Sequence, residues 1–175
     1  MFILYILGGI ILLVLLVAAL AGTKWSYHKT ILIQAPAAAV WPHVCSLSAI
    51  NTWNPWLSLD PDIKQQITGT DGKPGAVYSW DSQVKAAGAG NQTITGIIEN
   101  KEFATHIEFI RPFKGKGEGY LRLQEVPGGT EATWGIDSST PYPMNFIKIF
   151  GVIEKNLERD FTKGLNKLKT ICEQK

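Results

Sequence analysis

The sequence lacks the residues from which most metal and catalytic sites are built. Only two of its 175 residues are cysteines, Cys45 and Cys172, and they lie far apart and outside any Cys-x-x-Cys pair. A structural zinc site needs four ligands at short spacings, so we expect no metal and no cofactor. A Ser/His/Asp constellation, a phosphate-binding loop and a dinucleotide fingerprint are also absent. The sequence therefore gives no positive sign of an enzyme.

Charge is scarce as well. Charged residues make up 18% of the chain, and the net charge is +2. The nearest approach to a basic cluster lies on one terminal segment and is typical of a solvated helix face: Lys163, Lys167 and Lys169. We therefore expect no nucleic-acid partner. The two cysteines are most simply interpreted as buried, unreactive thiols, and a disulfide between them stays open only for an oxidising compartment.

The first 22 residues form a long run without charge. Residues 2–22 hold no strongly polar side chain, and a helix of this length spans about 30 Å, the thickness of a bilayer's hydrocarbon core. Trp25 and Tyr27 follow beside Lys24 and Lys29, the pattern of an interfacial aromatic belt with basic neighbours. We predict that residues 1–23 are a transmembrane anchor in contact with a lipid bilayer.

A cleaved signal peptide is the alternative for this run. Ala19-Leu20-Ala21 could serve as a cleavage site, but no Lys or Arg precedes the apolar stretch, which favours a retained anchor. Lys24 and Lys29 lie on the C-terminal side of the run. The tendency of basic residues to stay inside then places residues 24–175 in the cytoplasm as the soluble domain of a single-pass protein.

The rest of the chain alternates like one antiparallel sheet. Residues 35–47 and 48–53 are helix-prone but interrupted by prolines, so we expect two short helices there. The strand-like segments follow each other with short connections, which favours antiparallel neighbours. Counting the first one before the short helices, there are seven: 28–36, 62–68, 76–82, 92–100, 103–110, 117–126 and 130–139.

Alternation within these strands predicts one oily, aromatic face. The inward set includes Tyr78, Trp80, Phe109 and Trp134, while His106 and Glu108 share the opposite, solvated face. We therefore interpret His106 and Glu108 as a surface pair and not as a catalytic one.

A long amphipathic segment ends the chain. From about residue 144 to residue 172, apolar side chains recur every three or four positions, which predicts a helix of roughly 30 residues and about 45 Å. The concave face of the sheet is the only oily surface large enough to bury its stripe.

The order of a strand, two short helices, six strands and a long helix resembles the START/Bet v 1-like helix-grip superfamily. More narrowly, it resembles bacterial polyketide cyclase/dehydrase or lipid-transport proteins, some of which carry an N-terminal membrane anchor. The motifs that carry the resemblance are Ile33-Gln34-Ala35-Pro36, Val40-Trp41-Pro42, Trp53-Asn54-Pro55-Trp56, Asp60-Pro61, Gly75 with Tyr78-Ser79-Trp80, Arg111-Pro112-Phe113, Thr133-Trp134 and Pro143-Met144.

This resemblance implies an α+β helix-grip fold with a cavity between the curved sheet and the terminal helix. Such a cavity suits a lipid, an isoprenoid or a polyketide-like molecule. Arg111 shares the parity of Phe109 and could hold a carboxylate or phosphate group at the rim. The predicted ligand-binding residues are Trp41, Trp53, Trp56, Tyr78, Trp80, Phe109, Arg111, Trp134, Phe146 and Phe150.

Three functions remain open at this point. The first is a membrane-anchored module that binds a hydrophobic small molecule. The second is a cyclase/dehydratase-like or hydrolase-like enzyme that uses the same cavity. The third is an interaction or scaffold protein whose cavity is filled by its own side chains, since an aromatic residue more often fills a core than lines a binding site.

Overall fold

The computed structural model describes residues 1–174 and contains four α-helices, three 3₁₀ helices and seven strands. We call the 3₁₀ helix Met144–Phe150 the junction helix; the other two span Trp41–His43 and Pro55–Leu59. The remaining elements are α1 (Phe2–Leu20), β1 (Lys24–Ile33), α2 (Ala37–Val40), α3 (Leu47–Asn51), β2 (Lys64–Thr68), β3 (Val77–Asp81), β4 (Ala89–Ile98), β5 (Glu102–Arg111), β6 (Gly115–Val126), β7 (Gly129–Ser139) and α4 (Val152–Glu173).

The seven strands form one antiparallel sheet in the order β1-β7-β6-β5-β4-β3-β2. Strands consecutive in the chain are neighbours, except that β1 pairs with β7, so the first and last strands lie side by side. This confirms the predicted α+β fold, in which a curved seven-stranded sheet, short helices after the first strand and a C-terminal helix form the domain.

The pairing register gives the sheet two distinct ends. At one end, which we call the α1 end, β1 begins directly after α1, and β3, β5 and β7 finish. Three connections that follow a strand therefore lie at the α1 end, 82–88, 112–114 and 140–151, together with the segment 60–63 that leads into β2. At the other end, which we call the distal end, lie α2 and the connections 69–76, 99–101 and 127–128.

The short helices are set by local capping at the distal end. Pro36 precedes α2 with an extended backbone, and the Ser46 side chain accepts a hydrogen bond from the Ala49 amide at the start of α3. The Asp71 carboxylate, from the β2–β3 connection, accepts hydrogen bonds from the Leu47 and Ser48 amides at 2.8 and 3.0 Å. These bonds satisfy amides that a helix start leaves free, and they join α3 to the sheet.

The terminal helix is shorter than the sequence pattern predicts. The single helix expected over residues 144–172 is divided at Gly151, which adopts a left-handed backbone with φ of 60°. Before it lies the junction helix, and α4 begins at Val152. The apolar spacing continues through both pieces, so periodicity alone could not reveal the break, whereas glycine permits it without a steric penalty.

Strand β1 begins four residues earlier than predicted, and this changes the environment of two aromatic residues. Trp25 donates a hydrogen bond from Nε1 to Thr140 Oγ1 at 3.1 Å. The Tyr27 hydroxyl donates to Glu158 of α4, and the Tyr27 ring meets Phe161 edge-on at 5.5 Å between centroids. Both residues therefore belong to the sheet, and Tyr27 also forms part of the contact between the sheet and α4.

The hydrophobic core lies in the distal half of the domain. Side chains of α2, α3 and the strands that they cover are almost fully buried there, among them Ile33, Val40, Val44, Leu47, Ile94, Phe103, Leu121, Leu123, Leu165 and Leu168. Helix α1 stands apart from this core, because Ala18 is its one buried residue.

Candidate functional site

A central aromatic cluster fills the space beneath the middle of α4. Trp134 of β7 stacks on Phe161 at 4.2 Å between centroids, with 9° between the ring planes. Trp53 and Trp56 meet Trp134 edge-on at 5.0 and 5.5 Å. Stacked and edge-on arrangements are those that aromatic quadrupoles favour. Three of the predicted binding residues are thus brought together, but chiefly by contact with one another.

Hydrogen bonds hold these tryptophans in place. Trp53 is fully buried and donates from Nε1 to the His43 carbonyl at 2.8 Å. Trp56 donates from Nε1 to Asp160 Oδ2 on α4 at 3.1 Å. These bonds join the 51–59 segment to His43 and to α4. Trp53 and Trp56 therefore fill the middle of the domain between the sheet and α4.

A second aromatic group lies on the concave face of the other half of the sheet. Tyr78 and Trp80 stack at 5.8 Å, and Trp80 meets Phe109 edge-on at 6.4 Å. Gly90 lies beneath Trp80, where a Cβ atom would come within 2.6 Å of the indole ring. We call Tyr78, Trp80, Ile107 and Phe109 the floor, and the absence of a side chain at Gly90 lets Trp80 lie flat upon it.

On β3, β5 and α4, burial of the inward-facing residues decreases from the distal end to the α1 end, whereas Ile136 of β7 and Ala89 of β4 stay buried near the α1 end. On β5, Phe103 and Thr105 are buried, whereas Ile107 and Phe109 are half-buried. The same change occurs on β3 between Tyr78 and Trp80. Helix α4 repeats it, since Leu168, Leu165 and Phe161 are buried, while Leu157 and Glu154 are half-buried. On these three elements, the inward-facing side chains are therefore less covered towards the α1 end.

Few polar groups face this opening. Gln92 Nε2 donates to Thr105 Oγ1 at 3.0 Å, and Tyr78 donates to Gln65 Oε1 at 3.0 Å. Burial raises the pKa of Tyr78 to about 12, so its hydroxyl stays protonated at neutral pH. These side chains can give or accept hydrogen bonds but cannot exchange a proton readily near neutral pH.

Glu154 is the polar residue that the sequence analysis missed. Its Oε2 atom is buried and has no hydrogen-bond partner within the described part of the chain. It lies in the first turn of α4, seven residues before Phe161, so it continues the inward stripe of the helix. This seven-residue spacing from Phe161 could have indicated that Glu154 lies on the inward face. It was overlooked because only apolar residues were counted in the helical stripe.

Arg111 does not follow the parity of Phe109. A register shift between Ala89 and Gly90 pairs Gly90 with Phe109 and Ala89 with Arg111, which interrupts the alternation of β5. The Arg111 guanidinium forms an ion pair with Asp81 and donates to the Ser82 carbonyl at 3.1 Å. It therefore joins β5 to the end of β3 at the α1 end of the sheet.

The remaining predicted residues lie outside the floor and the central aromatic cluster. Trp41 is half-buried against the distal core. Phe146 and Phe150 meet edge-on at 6.4 Å within the junction helix, where Phe150 is 66% exposed. The structure thus divides the ten predicted residues among five places and does not gather them around one enclosed space.

The two best-formed hollows on residues 1–174 are open depressions at the α1 end. One, of about 580 Å³, lies among Lys24–Ser26, Lys116–Glu118 and Asp137–Ser139. The other, of about 480 Å³, follows the β5–β6 hairpin and includes Phe109. Neither is lined by Tyr78, Trp80 or Ile107 or by a residue of α4, so neither is a cavity between the floor and the helix.

The convex face carries the charged pair that the sequence analysis assigned to the surface. His106 Nδ1 lies 2.6 Å from Glu118 Oε1, and Lys116 Nζ lies 2.8 Å from Glu108 Oε1. A hydrogen bond from Lys116 lowers the pKa of Glu108. These exposed ion pairs bridge neighbouring strands and contribute little to stability.

Both cysteines are free thiols with raised pKa values. Burial raises the pKa of Cys172 to about 11, with a smaller contribution from the charge of Glu173, and burial also raises the pKa of Cys45. The thiol forms therefore predominate at neutral pH, which makes both residues poor nucleophiles. Across residues 1–174 no three His, Cys, Asp or Glu side chains are grouped to hold a metal ion.

Helix α1 is the single helix of the described chain that is long and apolar enough to cross a membrane. A signal sequence near an N-terminus would meet the same criteria of length and composition. Its surface is almost entirely free of contact with the rest of the protein, as expected for either of these segments.

Comparison with known proteins identifies a family and a set of fold relatives. A family model described as "Polyketide cyclase / dehydrase and lipid transport" matches residues 24–173. No curated protein sequence matches the chain significantly. Protein CV1439 from Chromobacterium violaceum is similar in structure, with a TM-score of 0.62 and 12% identity over 86% of this chain and 98% of that one.

Two further solved structures extend the likeness. Ara h 8.0201 has a TM-score of 0.59 and 14% identity over 85% of this chain and 97% of its own. The di-domain ARO/CYC StfQ from the steffimycin biosynthetic pathway has a TM-score of 0.64 and 7% identity, and the match covers 86% of this chain but 51% of StfQ. At such low identities these likenesses establish the fold alone.

Proposed function

The chain belongs to the polyketide cyclase/dehydrase and lipid transport family, and on that basis we propose that it binds a hydrophobic small molecule between the floor and the first turns of α4. Residues 24–175 are the binding domain, and residues 1–23 anchor it to a bilayer. The family supports a role in binding or cyclising hydrophobic molecules, and the geometry favours binding as the primary role.

The observation that carries this proposal is the graded burial of the inward face. Side chains that only fill a core pack against their own neighbours and lose most of their accessible surface. Here the distal half is closed, whereas Trp80, Ile107 and Phe109 remain half-buried. Half-exposed aromatic and aliphatic side chains on a concave face favour an apolar occupant, since removing their surface from water stabilises the complex.

The polar groups narrow the chemistry of this occupant. Glu154 Oε2 has no partner, and a hydroxyl group on the ligand could donate a hydrogen bond to it. Gln92 and Thr105 lie beside the floor and suit a neutral carbonyl or hydroxyl group. An isoprenoid alcohol, a neutral lipid or a polyketide-like aromatic fits this combination better than an ionised fatty acid.

Membrane attachment fits this role. We favour a retained anchor because the exposed surface of α1 is apolar all round, and because the domain begins directly at its end. Such an anchor keeps the binding domain beside the bilayer, where apolar molecules concentrate. The two lysines after the run, Lys24 and Lys29, favour a cytoplasmic domain.

Native mass spectrometry of the full chain in detergent tests the binding site. The protein is incubated with farnesol, with oleic acid or with 1-anilinonaphthalene-8-sulfonate, and bound masses are recorded after release from the micelle. Ile107→Trp fills the space above the floor, and Ile98→Trp is the matched control at an exposed position. We expect the wild type and Ile98→Trp to keep a bound farnesol that Ile107→Trp loses. Equal retention by all three proteins would place the molecule on α1 and contradict the proposal.

Glu154 supports a second candidate function, a cyclase-like reaction in the same space. A buried carboxyl oxygen without a hydrogen-bond partner is a candidate for proton transfer. A linear polyketide thioester mimic would then be cyclised by the wild type and not by Glu154→Gln, while both proteins would still bind it in native mass spectra. Absence of turnover by the wild type would leave binding as the function.

A further inference from the structure

Exposed apolar side chains are concentrated at the α1 end of the sheet. Among residues 21–174, eleven large apolar residues are exposed, and three of them, Leu32, Leu59 and Ile98, belong to none of the segments 82–88, 110–114 and 140–152. The other eight are Val84, Ile110, Phe113, Tyr142, Met144, Ile149, Phe150 and Val152. A soluble surface rarely gathers so many in one region, so this end of the domain is a candidate contact surface.

Each of the connections 82–88, 112–114 and 140–151 contains at least one exposed apolar residue and one lysine. Val84 precedes Lys85 in the connection 82–88, and Phe113, which is 75% exposed, precedes Lys114. The connection 140–151 carries Lys148 among four exposed apolar residues, Tyr142, Met144, Ile149 and Phe150. Apolar residues with neighbouring cations are the composition found where a protein meets lipid headgroups.

The distal end offers an internal comparison. Its connections are made of glycine, proline and polar residues: Gly69-Thr70-Asp71-Gly72-Lys73-Pro74-Gly75, Glu99-Asn100-Lys101 and Pro127-Gly128. Ile98 is the exposed apolar residue beside these turns. Exposed apolar residues are therefore typical of the connections beside α1 and not of the connections in this domain in general.

The junction helix is attached directly to the end of α1. Asn145 is buried, and its Nδ2 donates to the Ala18 and Ala21 carbonyls at 2.7 and 2.6 Å. Lys148 Nζ donates to the Gly22 carbonyl at 2.7 Å. These bonds satisfy carbonyl groups that the end of α1 leaves free, and they hold the exposed face of the junction helix beside the point where α1 leaves the domain.

We propose that the α1 end of the domain, formed by the connections 82–88, 112–114 and 140–151, rests on the bilayer surface. The inference relies on the proposed anchoring by α1, because continuity with that helix identifies lipid as the occupant. Phe113, Ile149 and Phe150 enter the interfacial region, and Lys85 and Lys114 contact the headgroups. The open end of the binding site then faces lipid, so a hydrophobic ligand passes between bilayer and floor with little exposure to water.

Spin-label accessibility in lipid nanodiscs tests this orientation. The full chain carries Cys45→Ala and Cys172→Ala and is reconstituted in phosphatidylethanolamine and phosphatidylglycerol. Labels are placed singly through Phe113→Cys, Phe150→Cys, the distal control Ile98→Cys and the span control Leu12→Cys. Accessibility to oxygen, which concentrates in lipid, is compared with accessibility to a water-soluble nickel chelate. We expect the depth parameter to shift to the lipid side for the labels at 113 and 150 and to stay aqueous at 98.

The controls separate this inference from the proposed anchor. Aqueous values at positions 113 and 150 overturn the docking surface in every case. If the label at position 12 still reports lipid, the anchor stands, and only the orientation of the domain was wrong. If the label at position 12 is aqueous as well, both the anchor and the docking surface fail.

Discussion

At the scale of single residues, Gly164 lets α4 lie directly on the central aromatic cluster. A Cβ atom at this position would come within 2.7 Å of the Trp134 ring and 3.2 Å of Pro55 Cδ. Real Cβ atoms do not approach other atoms so closely, so any larger residue must displace the helix or the cluster. Gly164 thus sets the distance between the helix and the sheet.

Gly164→Val should destabilise the domain by about 1–3 kcal/mol, because overpacking a filled interior forces neighbouring groups to move. Thermal unfolding of the full chain in detergent, followed by near-ultraviolet circular dichroism, measures the effect. Asn166→Val is the matched control, since it introduces the same helix propensity at an exposed position of α4. Equal melting temperatures for the two variants would show that the helix does not lie against the cluster.

The sequence pattern predicted some residues of the site correctly and others not. The alternation of β3, β5 and β7 correctly placed Tyr78, Phe109 and Trp134 on the inward face. Arg111 was misassigned, because a register shift inverts parity and leaves no mark in the sequence. Glu154 was missed, because a polar residue within an apolar stripe breaks the pattern by which such stripes are recognised.

At the scale of secondary-structure elements, Asp71 joins α3 to the sheet. Its carboxylate accepts hydrogen bonds from Leu47, Ser48 and Gly72 amides at 2.8–3.0 Å. Partial burial raises the pKa of Asp71, but a hydrogen bond from the Ser48 side chain and those from the three amides together outweigh that effect and lower it. The ionised form is therefore the one that stabilises the folded protein.

The sign of this pKa shift gives a pH dependence. Because the folded pKa lies below the unfolded value of about 3.9, the contribution is complete above that value and is lost as pH falls through the folded pKa. Asp71→Asn should cost about 1 kcal/mol at pH 7 through the weakened cap. Its unfolding free energy should also fall less than that of the wild type between pH 5 and pH 3. Parallel pH profiles would contradict this role of the carboxylate.

The contact between α1 and the junction helix also depends on single hydrogen bonds between two elements. Asn145→Ala removes both hydrogen bonds to the end of α1 and should weaken the contact by about 1–3 kcal/mol, because buried carbonyls lose their donor. Hydrogen–deuterium exchange of the full chain in nanodiscs should then show faster exchange in residues 18–24 and 141–151. The connection 127–128 serves as the reference, and unchanged exchange near α1 would show that Asn145 does not hold the junction.

Element boundaries were predicted less well than element types. The seven strands and the short helices followed from alternation and from proline positions, because these signals reflect local sterics and one-sided burial. The division of the terminal helix at Gly151 could not be predicted, since apolar spacing continues across it and glycine is also tolerated inside helices. The early start of β1 was missed, because tryptophan and tyrosine beside lysine resemble a membrane interface.

At the scale of the whole molecule, the domain has a closed distal half and an open half beside α1. The distal core contains most of the buried apolar residues and supplies stability, while the half-buried floor remains available for a ligand. The same end carries the exposed apolar connections and the attachment to α1. This arrangement unites the proposed binding site and the proposed bilayer contact in one region, which the sequence alone could not indicate.

The most direct measurement of the central claim is photocrosslinking of the full chain in nanodiscs with a diazirine-bearing isoprenoid alcohol. Peptides that carry the crosslink are identified by mass spectrometry. The account predicts crosslinks in residues 107–109 of β5 and in residues 153–157 of α4, and their loss in Ile107→Trp. Crosslinks confined to residues 2–20 would contradict it, because the hydrophobic molecule would then contact only the anchor.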